Sequence, residues 1–196
     1  LTDGLGQLVH GELIAVSKRS CTINVLQRTA QKPAGRLIQI AIAPVKNASR
    51  FEWFIEKATE LGVQRIIPIR TQRTEKDRLR IDRLRQVAVA AMLQSQQVWL
   101  PQIEEPVAYT TLVKDWQACS LQRLIAHCTE TERTPISQLT LSEAVGLMIG
   151  PEGDFTPEEI ALASAAGFQP VQLGETRLRT ETAGVVGATW LRLQKH

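Results

Sequence analysis

The stretch from Leu147 to Glu159 constrains the fold more than any other, because it sets a strand, a tight loop and a helix start in immediate succession. Leu147, Met148 and Ile149 form a short apolar run that stops at Gly150-Pro151, as the end of a buried strand does. Thr156 is a good N-cap, and Pro157 takes the first helical position, where its missing N–H costs nothing. Glu159 follows three residues after the cap, as a capping box requires. Gly150 and Gly153 free the loop backbone of side-chain bulk. A ligand can therefore lie against its amides and carbonyls at the carboxyl end of the strand, where open α/β sheets bind ligands. The same residues also suit a plain strand-to-helix turn, since glycine and proline are the usual turn formers.

A second stretch repeats the pattern. Leu173-Gly174-Glu175 ends another short apolar run, and Leu178-Arg179-Thr180-Glu181-Thr182-Ala183 opens the last helix, so two such loops can face each other. Upstream, Arg36 to Val45 is apolar enough for a central strand buried on both faces. Ser49 and Glu52 are spaced as a capping box, and Phe51, Phe54, Ile55, Ala58 and Leu61 share a helical face before Gly62. Val63 to Ile69 predicts a second strand, and Ile81, Leu84, Val87, Ala88 and Ala91 line up on a long helix. A shorter helix is expected around Tyr109 to Gln117. Three further strands follow, at Arg123 to His127, Val145 to Ile149 and Pro170 to Leu173. Strands alternating with helices predict an α/β domain: a mostly parallel sheet with helices on both faces. Ahead of it, Leu8 to Val16 and Cys21 to Leu26 alternate as a small β-hairpin, and Gln31 to Gly35 reads as a linker.

At 196 residues the chain holds one medium α/β domain and a smaller appendage. No apolar run approaches the roughly 20 residues that span a membrane, and nothing resembles a signal peptide, so a cytoplasmic protein is expected. The chain begins with Leu1, which leaves open a start further upstream. Cys21, Cys119 and Cys128 show no CxxC spacing and fit a reducing compartment. His127-Cys128 lacks the further ligands a metal site needs, so no metal is expected. The net charge of +3 is mild, yet seven basic residues meet only three acidic ones between Arg70 and Arg85. Arginine dominates that stretch, which suits phosphate contacts and base stacking. A solvated face with paired charges is the other reading.

Three segments together resemble the ribosomal RNA small subunit methyltransferase E family, of the SPOUT class of knotted RNA methyltransferases. They are Ile149-Gly150-Pro151-Glu152-Gly153, Leu178 to Ala183, and Glu56-Lys57-Ala58-Thr59-Glu60-Leu61-Gly62-Val63. The resemblance runs from Arg36 to the C-terminus and implies a domain over residues 36–196 with a C-terminal trefoil knot. Residues 1–35 resemble the later half of the family's RNA-binding PUA-like β-barrel, whose first strands are expected to be missing here. It further implies S-adenosylmethionine bent in the knot. The contacts would come from Leu147, Ile149, Gly150, Pro151, Glu152, Gly153, Leu173, Gly174, Leu178, Thr182 and Ala183. The activity implied is methylation of uridine N3 in small-subunit ribosomal RNA, free or in the assembled subunit, by a homodimer. The last helix offers Val185, Val186, Trp190 and Leu193 for such an interface.

Displacement at a sulfonium methyl requires the uracil nitrogen in line behind the carbon and its proton removed. Arg179 is expected to stabilise the anion spread over the uracil oxygens, with Glu152 and Glu181 as candidate bases. Glu181 equally suits capping the last helix or pairing with an arginine. Arg70, Arg73, Lys76 and Arg78 are the expected RNA contacts. The chain departs from the family at Asp154, where a second glycine is common, and at Thr176-Arg177, where Arg-Ile is usual. It departs also at Ala90, Leu93, Gln96 and Gln97, around a matching Gln94-Ser95. Two other classes stay open. One is a non-catalytic RNA-binding module derived from such an enzyme; the other is a dinucleotide-binding oxidoreductase, suggested by the glycine loop with Glu175 about twenty residues on.

Overall fold

The order of the strands in the sheet decides where the loops meet. The computed structural model describes every residue except Ala34, Lys76, Asp77, Glu130, Thr131, Lys195 and His196. Among the described residues the elements run β1 (Gln7–Val16), β2 (Cys21–Ala30), β3 (Leu37–Ile42), α1 (Ala48–Glu60), β4 (Arg65–Arg70) and α2 (Ile81–Gln94). Next come β5 (Gln102–Ile103), β6 (Val107–Ala108), α3 (Tyr109–Gln117), β7 (Gln122–Ala126), β8 (Thr134–Pro135) and a short 3₁₀ turn at Ile136–Gln138. The chain closes with β9 (Ala144–Ile149), α4 (Pro157–Ala165), β10 (Gln169–Gln172) and α5 (Thr180–Leu193).

The main sheet is ordered β5-β4-β3-β9-β7-β10-β8, with β6 beside β4, and every pairing in it is parallel. Alternation along each strand divides the core between its faces. Ile38, Ile40, Ile42, Val145, Leu147 and Ile149 face α1, α2 and α5, while Ala41, Met148 and Ile125 face α3 and α4. The expected α/β architecture is thus observed, with β5, β6 and β8 added as two-residue strands too short to show periodicity.

Local signals account for the helix ends. Thr156 caps α4, accepting from the Glu159 amide, and the Glu159 carboxylate accepts in return from the Thr156 amide at 2.9 Å. At α1 the cap is Asn47 rather than Ser49. The Asn47 side chain accepts from the amides of Ser49 and Arg50, so the cap lies two residues ahead of the expected one and the helix starts at Ala48. Gly62, at φ +72°, turns the chain out of α1 in the left-handed region that suits glycine.

Strands β1 and β2 pair antiparallel as an isolated two-stranded sheet, exposed along most of its length. Among the described residues its base alone is held, by Gly6 donating to the Val98 carbonyl at 2.9 Å, Leu100 to that of Gly4 at 2.9 Å, and the Trp99 indole to that of Gln31 at 3.1 Å. No helix among the described residues is long and apolar enough to cross a membrane.

Candidate cofactor site

Strands β9, β7 and β10 are neighbours and all parallel, so their carboxyl ends open side by side on one edge of the sheet. Between the loops that leave them lies a cavity of about 490 Å³, within the range that takes a small organic molecule. One wall is the loop after β9, with Ile149, Gly150, Pro151, Glu152 and Asp154. The opposite wall runs from Val171 through Leu173 and Gly174 to Thr176, Arg177, Leu178 and Arg179, and on into α5 at Thr180 and Ala183. The floor is the end of β7, with Ala126, His127 and Cys128, and Arg50 and Arg133 complete the rim.

The loops are stitched to each other. Thr180 donates from its hydroxyl to the Gly150 carbonyl at 3.0 Å, a buried bond that ties the start of α5 to the glycine loop. A side chain on Gly150 would press on the Phe155 ring, 3.0 Å from where a Cβ would stand, so glycine suits this tightly packed position. Asp154 adopts φ +64°, uncommon for a residue with a side chain. Its carboxylate offsets the cost by accepting from the Cys128 amide and from the Phe155 amide, both at 2.8 Å. The departure from glycine at this position therefore joins the β9 loop to the end of β7. On the outer side, Arg73 donates to the Gly153 carbonyl at 2.6 Å, and the Gln72 amide donates to the Glu159 carboxylate at 2.8 Å.

Charge in the cavity is lopsided. Arg50, Arg133, Arg177 and Arg179 face Glu152 and Asp154, which favours an anionic partner at the mouth. His127 is 4% exposed, and neither ring nitrogen meets a hydrogen-bond partner among the described residues. Burial pushes its pKa down, the Asp154 carboxylate pulls it up by less, and Arg133 adds to the lowering.

Of the residues singled out in the sequence, Ile149, Gly150, Pro151, Glu152, Leu173, Gly174, Leu178, Arg179 and Ala183 line this cavity. Leu147, Gly153, Thr182 and Glu181 are not among its lining residues. Leu147 points to the same sheet face as Ile149 but two residues deeper, where it packs under α5 against Gly187. Gly153 turns outward to Arg73. Glu181 is buried in the first turn of α5, its Oε1 3.8 Å from Arg50 Nε and its other oxygen without a partner among the described residues. Arg70, Arg73 and Arg78 are exposed, and Lys76 lies outside the described residues. Part of the basic stretch is paired: Arg83 with Glu52 at 3.0 Å and Arg85 with Asp82 at 3.4 Å. The sequence reading missed Arg50, Arg133 and His127 as cavity residues. Strand order alone places β7 between the two glycine loops, and periodicity does not carry strand order.

Known proteins resemble the chain over most of its length. The family model for an RNA methyltransferase domain matches residues 32–192. A ribosomal RNA small subunit methyltransferase E from Synechocystis is 34% identical over 156 residues, 76% of this chain, and the chain spans half of that relative's length. A crystal structure of a probable rRNA-methyltransferase from Porphyromonas gingivalis superposes with a TM-score of 0.90 at 37% identity, covering 97% of this chain and 81% of that one. A ribosomal RNA small subunit methyltransferase E from Neisseria gonorrhoeae, bound to S-adenosyl methionine, gives a TM-score of 0.83 at 26% identity, covering 96% and 79%. The likenesses run counter to a dinucleotide-binding fold, as does a glycine loop that follows β9 rather than the first strand.

Proposed function

Since the chain belongs to the RNA methyltransferase family, in its ribosomal RNA small subunit methyltransferase E branch, we propose that it transfers a methyl group from S-adenosylmethionine to N3 of a uridine in small-subunit ribosomal RNA. The observation that carries this reading is the cavity walled by the loops after β9 and β10 and floored by the end of β7. Its volume suits an adenosine-sized ligand, and its apolar residues Ile149, Leu173 and Leu178 sit beside exposed loop backbone, the combination that takes a flat purine. Bound there, the sulfonium of S-adenosylmethionine supplies an electrophilic methyl group.

The chain's own residues then have distinct tasks. Arg179, exposed at the N-cap of α5 and at the cavity wall, donates to the uracil oxygens as N3 loses its proton. Glu152 accepts that proton, because Glu152 lines the cavity while Glu181 does not and is buried beside Arg50. Glu181 instead fixes the Arg50 guanidinium at the rim. Arg70, Arg73, Lys76 and Arg78 contact the RNA backbone, and residues 1–35 act as part of a PUA-like barrel that helps hold it. We assign residues 36–196 to the catalytic domain and its C-terminal part to a trefoil knot. The enzyme works as a homodimer in the cytoplasm, where its substrate lies. Titration calorimetry tests the cofactor assignment. S-adenosylmethionine should bind with a micromolar dissociation constant and NAD should give no heat; equal binding of the two, or none of either, overturns it.

A further inference from the structure

Of the four arginines that line the cavity, one is tethered by its side chain to the floor strand and still has an open edge. Arg133, half-buried just ahead of β8, donates from Nη1 to the His127 carbonyl at 2.6 Å, which ties its guanidinium to the end of β7. Nε and Nη2 make no hydrogen bond or ion pair among the described residues, and neither is sealed from solvent. Those two nitrogens lie along one edge of the guanidinium plane with their N–H groups side by side, the fork that takes both oxygens of a carboxylate. The nearby acids do not claim it. Both Asp154 oxygens accept backbone amides, those of Cys128 and Phe155, and Glu181 stands 3.8 Å from Arg50. Arg177 and Arg179 are exposed, and neither side chain is tethered in this way among the described residues.

A half-buried cation with an unfilled bidentate edge, lining a cavity, calls for an anionic ligand of matching shape. S-adenosylmethionine has one such group, the carboxylate at the end of its methionine chain. We propose that Arg133 binds that carboxylate through Nε and Nη2 and so fixes the amino-acid end of the methyl donor beside the end of β7. This inference rests on the reading of the cavity as the S-adenosylmethionine site. It gives the ligand a third anchoring segment, besides the loops after β9 and β10. An RNA phosphate has the same chemistry for a fork of this kind. The tether to the His127 carbonyl favours the cofactor, since it holds the guanidinium to the floor strand and leaves the exposed Arg177 and Arg179 to meet RNA at the mouth.

The test uses S-adenosylhomocysteine and its decarboxylated analogue, which keeps the amine and lacks only the carboxylate, titrated calorimetrically into wild type, Arg133→Gln and Arg133→Lys. Wild type should bind the parent about 10–100-fold more tightly than the analogue, the effect of charge-assisted hydrogen bonds to a carboxylate. In Arg133→Gln that advantage should fall below about threefold, through weaker binding of the parent and not through tighter binding of the analogue. Arg133→Lys, which keeps the charge without the fork, should recover part of it. The Arg133 Nε–H resonance of wild type should move on adding the parent and stay put with the analogue. Wild-type discrimination retained in a folded Arg133→Gln, or equal binding of the two ligands by wild type, overturns the role of Arg133 alone. Discrimination left intact while that variant loses affinity for a short single-stranded RNA would assign the fork to a phosphate and overturn it too. If Arg133→Gln does not fold, an Nε–H resonance unmoved by the parent overturns it instead. Failure of wild type to bind S-adenosylhomocysteine at all overturns the cavity reading itself.

Discussion

Asp154 shows how much a single side chain decides here. Its left-handed backbone would suit glycine, yet its carboxylate links the β9 loop to β7 through the Cys128 amide. Asp154→Ala keeps the unfavourable φ and loses both bonds, and should cost about 2 kcal/mol in urea unfolding. Asp154→Gly relieves the backbone and should cost less; equal losses in the two variants would contradict the account. Gly184 makes a similar point inside α5, where an added Cβ would lie 2.6 Å from the Phe54 ring and 2.9 Å from Ile42. Gly184→Ala should therefore destabilise by about 1–3 kcal/mol despite alanine's better helix propensity, as denaturant midpoints would register. His127 gives a pH signature. An imidazole whose folded pKa lies below its unfolded value contributes stability that is fully present above the unfolded pKa of about 6.5 and lost as pH falls through the folded one. Between pH 7 and 5, wild type should lose stability faster than His127→Phe. These roles were only half legible in the sequence. A positive φ, a bond to an amide 26 residues away and a buried unpaired ring depend on tertiary placement, and His127 stood out only as a metal ligand without companions.

Elements with strong local chemistry were readable, and those fixed by partners were not. The Thr156, Pro157 and Glu159 signature gave the start of α4 because all three contributions sit within one turn. At α1 two acceptors competed, and Asn47 wins with its side chain on the Ser49 and Arg50 amides. The basic segment after β4 reads in the sequence as an RNA contact or a solvated face with paired charges, yet Arg73 also secures the Gly153 carbonyl. Arg73→Ala should therefore raise the S-adenosylmethionine dissociation constant a few-fold as well as weaken RNA binding, whereas Arg70→Ala should affect only RNA and flatten its salt dependence. Unchanged cofactor affinity in Arg73→Ala would show that the bond does not shape the loop. The β1–β2 hairpin, held only at its base, should exchange its amide hydrogens far faster than β3 or β9, since two strands without a covered face are marginal.

Across the whole molecule, two covered sheet faces and one shared strand edge bring the glycine loops together, while α5 leaves Trp190 39% and Leu193 69% exposed. Those side chains are the proposed dimer contact, and Trp190→Asp should shift a sedimenting dimer toward monomer. The layered fold could be read from the alternation of strands and helices; the cavity floor could not, because it needed β7 to insert between β9 and β10. The central claim is methyl transfer to uridine N3, and incubation with methyl-tritiated S-adenosylmethionine and unmethylated small ribosomal subunits tests it most directly. Label should enter the small-subunit RNA and, after nuclease digestion, co-elute with 3-methyluridine, and Arg179→Ala should lower its rate at least tenfold. Label recovered in a different nucleoside, or no label from folded protein that binds the cofactor, would contradict the account.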